Sequence, residues 1–178
     1  MASSPSRAAD QIAPTARRTV LSLDHVSRSF GEGEQRVDAI VDVSLGVNPG
    51  AFAAVMGPSG SGKSTLLGLA GGLDQPTAGT VSVCGEPLGG MPRDDLARVR
   101  RRQLGFVFQD YNLVPTLTAV ENVSLPLELD GVSAIRARKA AEIALDRVGV
   151  PELVDRHIEE MSGGQRQRVA IARGIVGD

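Results

Sequence analysis

The segment Gly57-Pro58-Ser59-Gly60-Ser61-Gly62-Lys63-Ser64 constrains this chain more than any other. It satisfies the pattern G-x-x-x-x-G-K-[ST] at every fixed position, and such a loop works when a buried strand precedes it and a helix follows. Its glycines let successive backbone N–H groups, including those of Ser59 and Ser61, turn inward as an anion nest. The following helix adds the positive end of its dipole. Lys63 supplies a point charge for β- and γ-phosphates, and the Ser64 hydroxyl can ligate Mg²⁺. An ordinary Gly/Ser turn would not need the lysine. Of 19 basic residues only Lys63 and Lys139 are lysines, so one of the chain's two compact ammonium groups stands in this loop.

The flanks fit the requirement. Ala51 to Met56 is a short continuous apolar run, the pattern of a strand buried on both faces, and Ser64 to Ala70 reads as a helix. Upstream, Val20 to Val26 and Val37 to Val47 are strand-like, and Asn48-Pro49-Gly50 is a turn. Downstream, Thr80 to Cys84 reads as a strand, Asp94 to Arg102 as a charged helix, and Leu104 to Phe108 as another buried strand. Thr118 to Leu129 and Ser133 to Val148 are mainly helical, the second with Ala141, Ala144, Leu145 and Val148 on one face. Strands first and helices later imply an α/β core carrying a helical insertion.

Length and composition set the outer bounds. The 178 residues are 42% hydrophobic and carry a net charge of -2, which suits one ordinary domain with no overall drive toward nucleic acid or acidic membrane. Four Phe and one Tyr require an aliphatic core. The single cysteine, Cys84, cannot form an intramolecular disulfide and is read as a buried thiol. The longest apolar runs fall far short of the roughly 18 to 20 residues that span a bilayer, implying a soluble or peripheral chain. Residues 1–18, rich in Ala, Ser, Pro and Arg, read as a disordered tail without a secretory apolar segment.

A second anion site is legible at Met161-Ser162-Gly163-Gly164-Gln165. Ser162 and Gln165 form an S-x-x-Q capping box, the glycines leave the first-turn N–H groups unobstructed, and an apolar stripe follows at Val169, Ala172 and Val176.

Together the two motifs resemble the ATP-binding cassette (ABC) family, whose signature is usually written LSGGQ; Met161 replaces the leucine. The resemblance covers Val20 to Asp178. It includes Gly72-Leu73-Asp74 with Pro76-Thr77 and Gly79, the strand ending Gly105-Phe106-Val107-Phe108-Gln109, and the run Leu113 to Val123. That last combination is most similar to the subfamily serving lipoprotein release, macrolide or peptide efflux and cell-division complexes. The resemblance implies an α/β fold: a P-loop NTPase (RecA-like) core with an antiparallel β subdomain and a helical insertion at about 110–160, the signature helix at 162–176, and a sheet incomplete at the C-terminus.

It also implies roles. Gln109 matches the Q-loop glutamine that contacts Mg²⁺ and the attacking water, so Gln109 and Lys63 are the catalytic candidates, and Ser64 and Gln109 the metal candidates. Gly57, Ser59, Gly60, Ser61, Gly62, Lys63, Ser64 and Thr65 would hold ATP, with Thr65 at the α-phosphate. Phe30 stands where the family has an aromatic that stacks on adenine. Ser162, Gly164 and Gln165 would bind the γ-phosphate of ATP held by a second nucleotide-binding subunit facing head to tail. Residues near Tyr111 to Leu129 match the surface where a membrane permease docks, implying a peripheral place at the cytoplasmic membrane face.

Other features read as ordinary. Arg98, Arg100, Arg101 and Arg102 follow Asp94 and Asp95 without interleaved aromatics, which suits a solvated face better than nucleic-acid contact. His25 and His157 lack neighbours at metal-ligand spacing and read as structural or surface residues. In the family, an acidic Asp-Glu strand and a later switch histidine follow the signature helix, whereas Ile175-Val176-Gly177-Asp178 precede any such segment. The expectation is a partial domain with an open apolar edge at Ala51 to Met56 and little turnover alone, since a general base is typically worth about 10² to 10⁴ in rate. The expected function is the ATP-binding subunit of an exporter. The alternatives are a fragment that at most binds nucleotide, or a soluble cassette protein acting on nucleic acid or ribosomes.

Overall fold

The computed structural model describes residues 19–177, so the expected tail at 1–18 lies outside the described residues. Two long strands open the fold: β1 (Leu21–Phe30) and β2 (Val37–Val47), which pair antiparallel. The hairpin β3 (Ala78–Val83) and β4 (Glu86–Pro87) adds to the free side of β1, giving the order β2-β1-β3-β4. Five helices accompany the sheet: α1 (Lys63–Ala70), α2 (Arg93–Gln103), α3 (Ala119–Leu129), α4 (Ala134–Arg147) and α5 (Gly163–Ile175).

Two aliphatic cores result. In the first, Leu23 and Val26 of β1, Ile40 of β2 and Val81 and Val83 of β3 pack with Leu69 of α1 and Leu96 and Val99 of α2. In the second, Val120 and Val123 of α3, Ala141, Ala144 and Leu145 of α4 and Val169 and Ala172 of α5 close a small bundle. Small alanines on α4 let the neighbouring helix axes approach, while the valines fill the space between them. Met161 is buried in the same bundle, so a flexible apolar side chain of similar volume serves where the family has leucine. Helix α3 begins at Thr118, whose hydroxyl accepts from the Glu121 backbone while the Glu121 carboxylate accepts from the Thr118 N–H at 2.8 Å. Those hydrogen bonds from Thr118 hold the Glu121 carboxyl below its usual range.

The antiparallel and helical parts match the expected fold, and the sheet is incomplete as expected, but two expected strands are absent. Ala51 to Met56 is not a strand: no segment among the described residues pairs with it, and Phe52 and Met56 are 96% and 88% exposed. Leu104 to Phe108 is likewise unpaired, with Val107 exposed. An apolar run reports a tendency to be buried, whereas a strand exists only when a neighbour takes its backbone hydrogen bonds.

Cys84 also departs from expectation, being exposed rather than buried. Val83 pairs with Glu86, which leaves Cys84 and Gly85 as a two-residue hairpin turn with φ of 49° and 85°. Both positive angles suit the twist of the flanking strands, and the turn carries the thiol out to solvent.

His25 occupies an irregularity of β1 at φ 48°, and its Nδ1 lies 2.6 Å from the Asp42 carboxylate. The hydrogen bond to Asp42, then its charge, raise the imidazole above its usual value. A raised folded-state value stabilises below about pH 6.5, and that contribution is lost as pH rises through the folded value. In an NMR titration, His25 should therefore titrate above the ordinary histidine range, and Asp42→Asn should bring it back toward that range. An unchanged His25 midpoint in that variant would refute the pairing.

Candidate nucleotide site

The loop 57–62 turns off the extended segment and hands the chain to α1. Gly62 caps that helix in the left-handed region, at φ 84°, and a Cβ there would meet the Ala39 carbonyl oxygen at 2.5 Å. Only glycine relieves both demands, so the end of the loop rests directly on β2. Gly57 and Gly60 also hold positive φ, and Gly57 to Ser61 are exposed. The Lys63 ammonium curls back over the loop and donates to the carbonyl oxygens of Gly57 at 2.9 Å and Pro58 at 2.6 Å. It thus stands across the mouth of the nest. Ser64 is exposed in the first turn of α1, Thr65 is half-buried beside it, and among the described residues no hydrogen bond occupies either hydroxyl.

Phe30 ends β1 opposite Val37 of β2, two residues from Ala39, against which Gly62 packs. At about 3.4 Å per residue, this places the aromatic roughly one nucleoside's length from the end of the loop. Phe30 is 43% exposed, so it is not a core phenylalanine.

Gln109 comes directly after the 104–108 segment, exposed and without a side-chain hydrogen bond among the described residues. The residues beyond it are held firmly. Tyr111 and Asn112 both adopt positive φ, and their carbonyl oxygens accept from Arg173 of α5 at 2.7 and 2.6 Å. Arg173 is half-buried, and burial lowers its guanidinium below the ordinary arginine value. Next, the fully buried amide of Asn122 accepts from the Val114 N–H at 2.7 Å and donates to the carbonyls of Val114, Leu117 and Thr118. Neither role is visible in the sequence as chemistry. Asn122 and Arg173 are noticed there only as letters within longer motifs.

The expected capping box at Ser162 and Gln165 forms. Ser162 caps α5: its hydroxyl accepts from the Gln165 N–H, and Gln165 Oε1 accepts from the Ser162 N–H at 2.9 Å. Each side chain keeps a donor to spare, the Ser162 O–H and the Gln165 amide, while Gly163 and Gly164 lie exposed in the first turn. No hydrogen bond among the described residues joins Ser162, Gly164 or Gln165 to the loop at 57–64.

The arginine run is more structural than a solvated face. Arg98 pairs with Asp95, Arg100 donates to the Gly72 carbonyl, and Arg101 and Arg102 converge on Asp130. Among the described residues no cluster of three or more His, Cys, Asp and Glu side chains is placed to hold a metal, and no helix is long and apolar enough to cross a membrane.

Comparison with known proteins agrees with this geometry. The family described as ABC transporter matches residues 40–178. The macrolide export ATP-binding/permease protein MacB of Marinobacter nauticus is 45% identical over 159 residues, covering 89% of this chain and 25% of that protein. An uncharacterized ABC transporter ATP-binding protein of Thermotoga maritima is 45% identical over 161 residues, covering 90% of this chain and 69% of its own length. The dimeric structure of MJ0796, a bacterial ABC transporter cassette, superposes with a TM-score of 0.82 at 40% identity, over 88% of this chain and 69% of that one. The chain therefore spans about a quarter of the first relative and somewhat over two thirds of the others.

Proposed function

Because the chain belongs to the ABC transporter family, we propose that it supplies the nucleotide-binding part of an exporter, coupling ATP binding and hydrolysis to transport through a membrane permease. The observation that carries the reading is the Lys63 ammonium braced across a glycine nest at the start of α1. It pre-positions a cation where phosphate oxygens would displace the loop's own carbonyls.

In this reading the N–H groups of 59–65 and the Lys63 ammonium bind the phosphates, Thr65 steadies the α-phosphate, and Phe30 stacks on adenine. The exposed Ser64 hydroxyl and the Gln109 amide oxygen are hard oxygen donors, which fits Mg²⁺ sharing its shell with phosphate oxygens and water. Bound there, the ion would neutralise charge on the β- and γ-phosphates. Gln109, free of internal hydrogen bonds among the described residues, can orient an attacking water. Ser162, Gly164 and Gln165 complete the site of a second nucleotide-binding subunit. A place at the cytoplasmic membrane face follows from this partnership. The permease contact is assigned to residues 111–129, where Leu129 is 64% exposed while Leu113, Val114 and Leu117 are half-buried.

Sedimentation of the full-length polypeptide tests the reading. ATP should shift the protein from monomer to dimer. Ser162→Asp, which sets a carboxylate against the incoming γ-phosphate, should abolish the shift while leaving ATP binding to the monomer intact. ATP binding without any mass change in the unsubstituted protein would overturn the shared-site assignment.

A further inference from the structure

The guanidinium of Arg28 lies over the Phe30 ring with its carbon 4.5 Å from the centroid. The same group is anchored from behind, with one terminal nitrogen 2.8 Å from the Asp74 carboxylate. Asp74 is itself fixed: its oxygen accepts from the Gln75 N–H at 2.8 Å, and its N–H donates to the Gly68 carbonyl of α1. Thr77 closes the arrangement from the same loop, donating its N–H to the Ser27 carbonyl and accepting from the Ser29 N–H with its hydroxyl. Arg28 Nε is buried without a partner, so the side chain is placed by the ring and by the terminal nitrogen's contact with Asp74.

From this geometry we infer that Arg28 is a positioning residue for base recognition: held by Asp74, it sets the plane of Phe30 and links the base platform to the helix that carries the phosphate site. The inference rests on Phe30 stacking against adenine. With Arg28 over one face, Phe30 is still 43% exposed, which leaves open surface against which a purine can lie. A cation on one face draws electron density from the ring and makes the opposite face a better partner for an electron-rich base. Asp74 keeps that cation from drifting into solvent, as a lone arginine on a strand end would. Because Asp74 is bonded to α1, the distance between platform and phosphate nest is held before any ligand arrives, which reduces the ordering that binding must impose.

Binding of two probes to the full-length polypeptide separates the possibilities: ATP, which has a base, and inorganic tripolyphosphate, which lacks one. Phe30→Ala should weaken ATP about tenfold. Arg28→Ala should weaken it about threefold to fivefold, Asp74→Asn by a similar factor, and Arg28→Lys, which keeps the cation, by less than about twofold. Tripolyphosphate affinity should stay unchanged in all four, which also reports an intact loop. Adding Arg28→Ala to Phe30→Ala should produce no further loss. If Arg28→Ala weakens both probes equally, or still weakens ATP in the Phe30→Ala background, the positioning role is wrong even where Phe30 stacks. If Phe30→Ala itself leaves ATP affinity untouched, the adenine platform fails, and the inference with it.

Discussion

Replacing Lys63 by alanine should weaken ATP binding by roughly 30- to 150-fold, the loss of about 2 to 3 kcal/mol of charge-assisted hydrogen bonding. It should leave folding stability almost unchanged. The contrast arises from the groups the ammonium touches. Without ligand it satisfies the carbonyls of Gly57 and Pro58, and both residues are exposed, so water takes over when the side chain is cut back. Phosphate oxygens in the nest have no such substitute, because the loop's own N–H groups are fixed in number and direction. Lys63→Arg should not restore binding, since a planar fork cannot occupy the space of a compact point charge. Calorimetric titration with ATP, beside urea unfolding of the same samples, measures both quantities. Equal affinity in Lys63→Ala and the unsubstituted protein would mean that the loop binds something other than nucleotide phosphate.

The second large effect is expected far from the phosphates. Asn122→Leu nearly preserves volume, yet it strips the partly buried loop at 114–118 of one acceptor and two donor hydrogens that serve four backbone groups. Each group left unsatisfied away from water costs about 1 to 3 kcal/mol, with relief where water reaches the half-buried loop and at the Thr118 carbonyl, which keeps its bond from the backbone N–H of residue 122. A net destabilisation of about 3 kcal/mol is expected in urea unfolding, a large fraction of a typical domain's stability. Asn122→Asp should be worse at neutral pH and partly recover on acidification, because it keeps the acceptor but buries a charge facing three carbonyl oxygens. A loss under about 1 kcal/mol in Asn122→Leu would show that the loop finds its hydrogen bonds elsewhere.

The contrast between these residues explains what could be read from the letters. Lys63 lies within eight consecutive residues whose pattern is itself the chemistry, and Ser162 and Gln165 form a cap that spans four positions. Helices α3 to α5 are visible for the same reason: their caps and apolar stripes are local. Ala51 to Met56 is misread because an apolar run announces burial without naming the strand that would pair with it. Cys84 is misread because an alternating pattern does not say where a hairpin turns. Arg28 with Asp74 and Arg173 with Tyr111 are missed because each joins residues many positions apart, the second pair by 62. Periodicity carries no information about such long-range bonds. The candidate site is therefore legible in its glycine loop and in the cap at Ser162, whereas the contacts that hold Phe30 and the segment after Gln109 in place leave no local pattern.

Arg173 grips two consecutive carbonyls in left-handed backbone, a conformation a non-glycine residue leaves readily once its restraint is gone. Both bonds come from one guanidinium, so a displacement of α5 would strain them together, and the segment after Gln109 is tied to the helical bundle through this side chain. Any motion imposed on the bundle would then be passed to Tyr111 and Asn112, two and three residues beyond Gln109, by that direct contact.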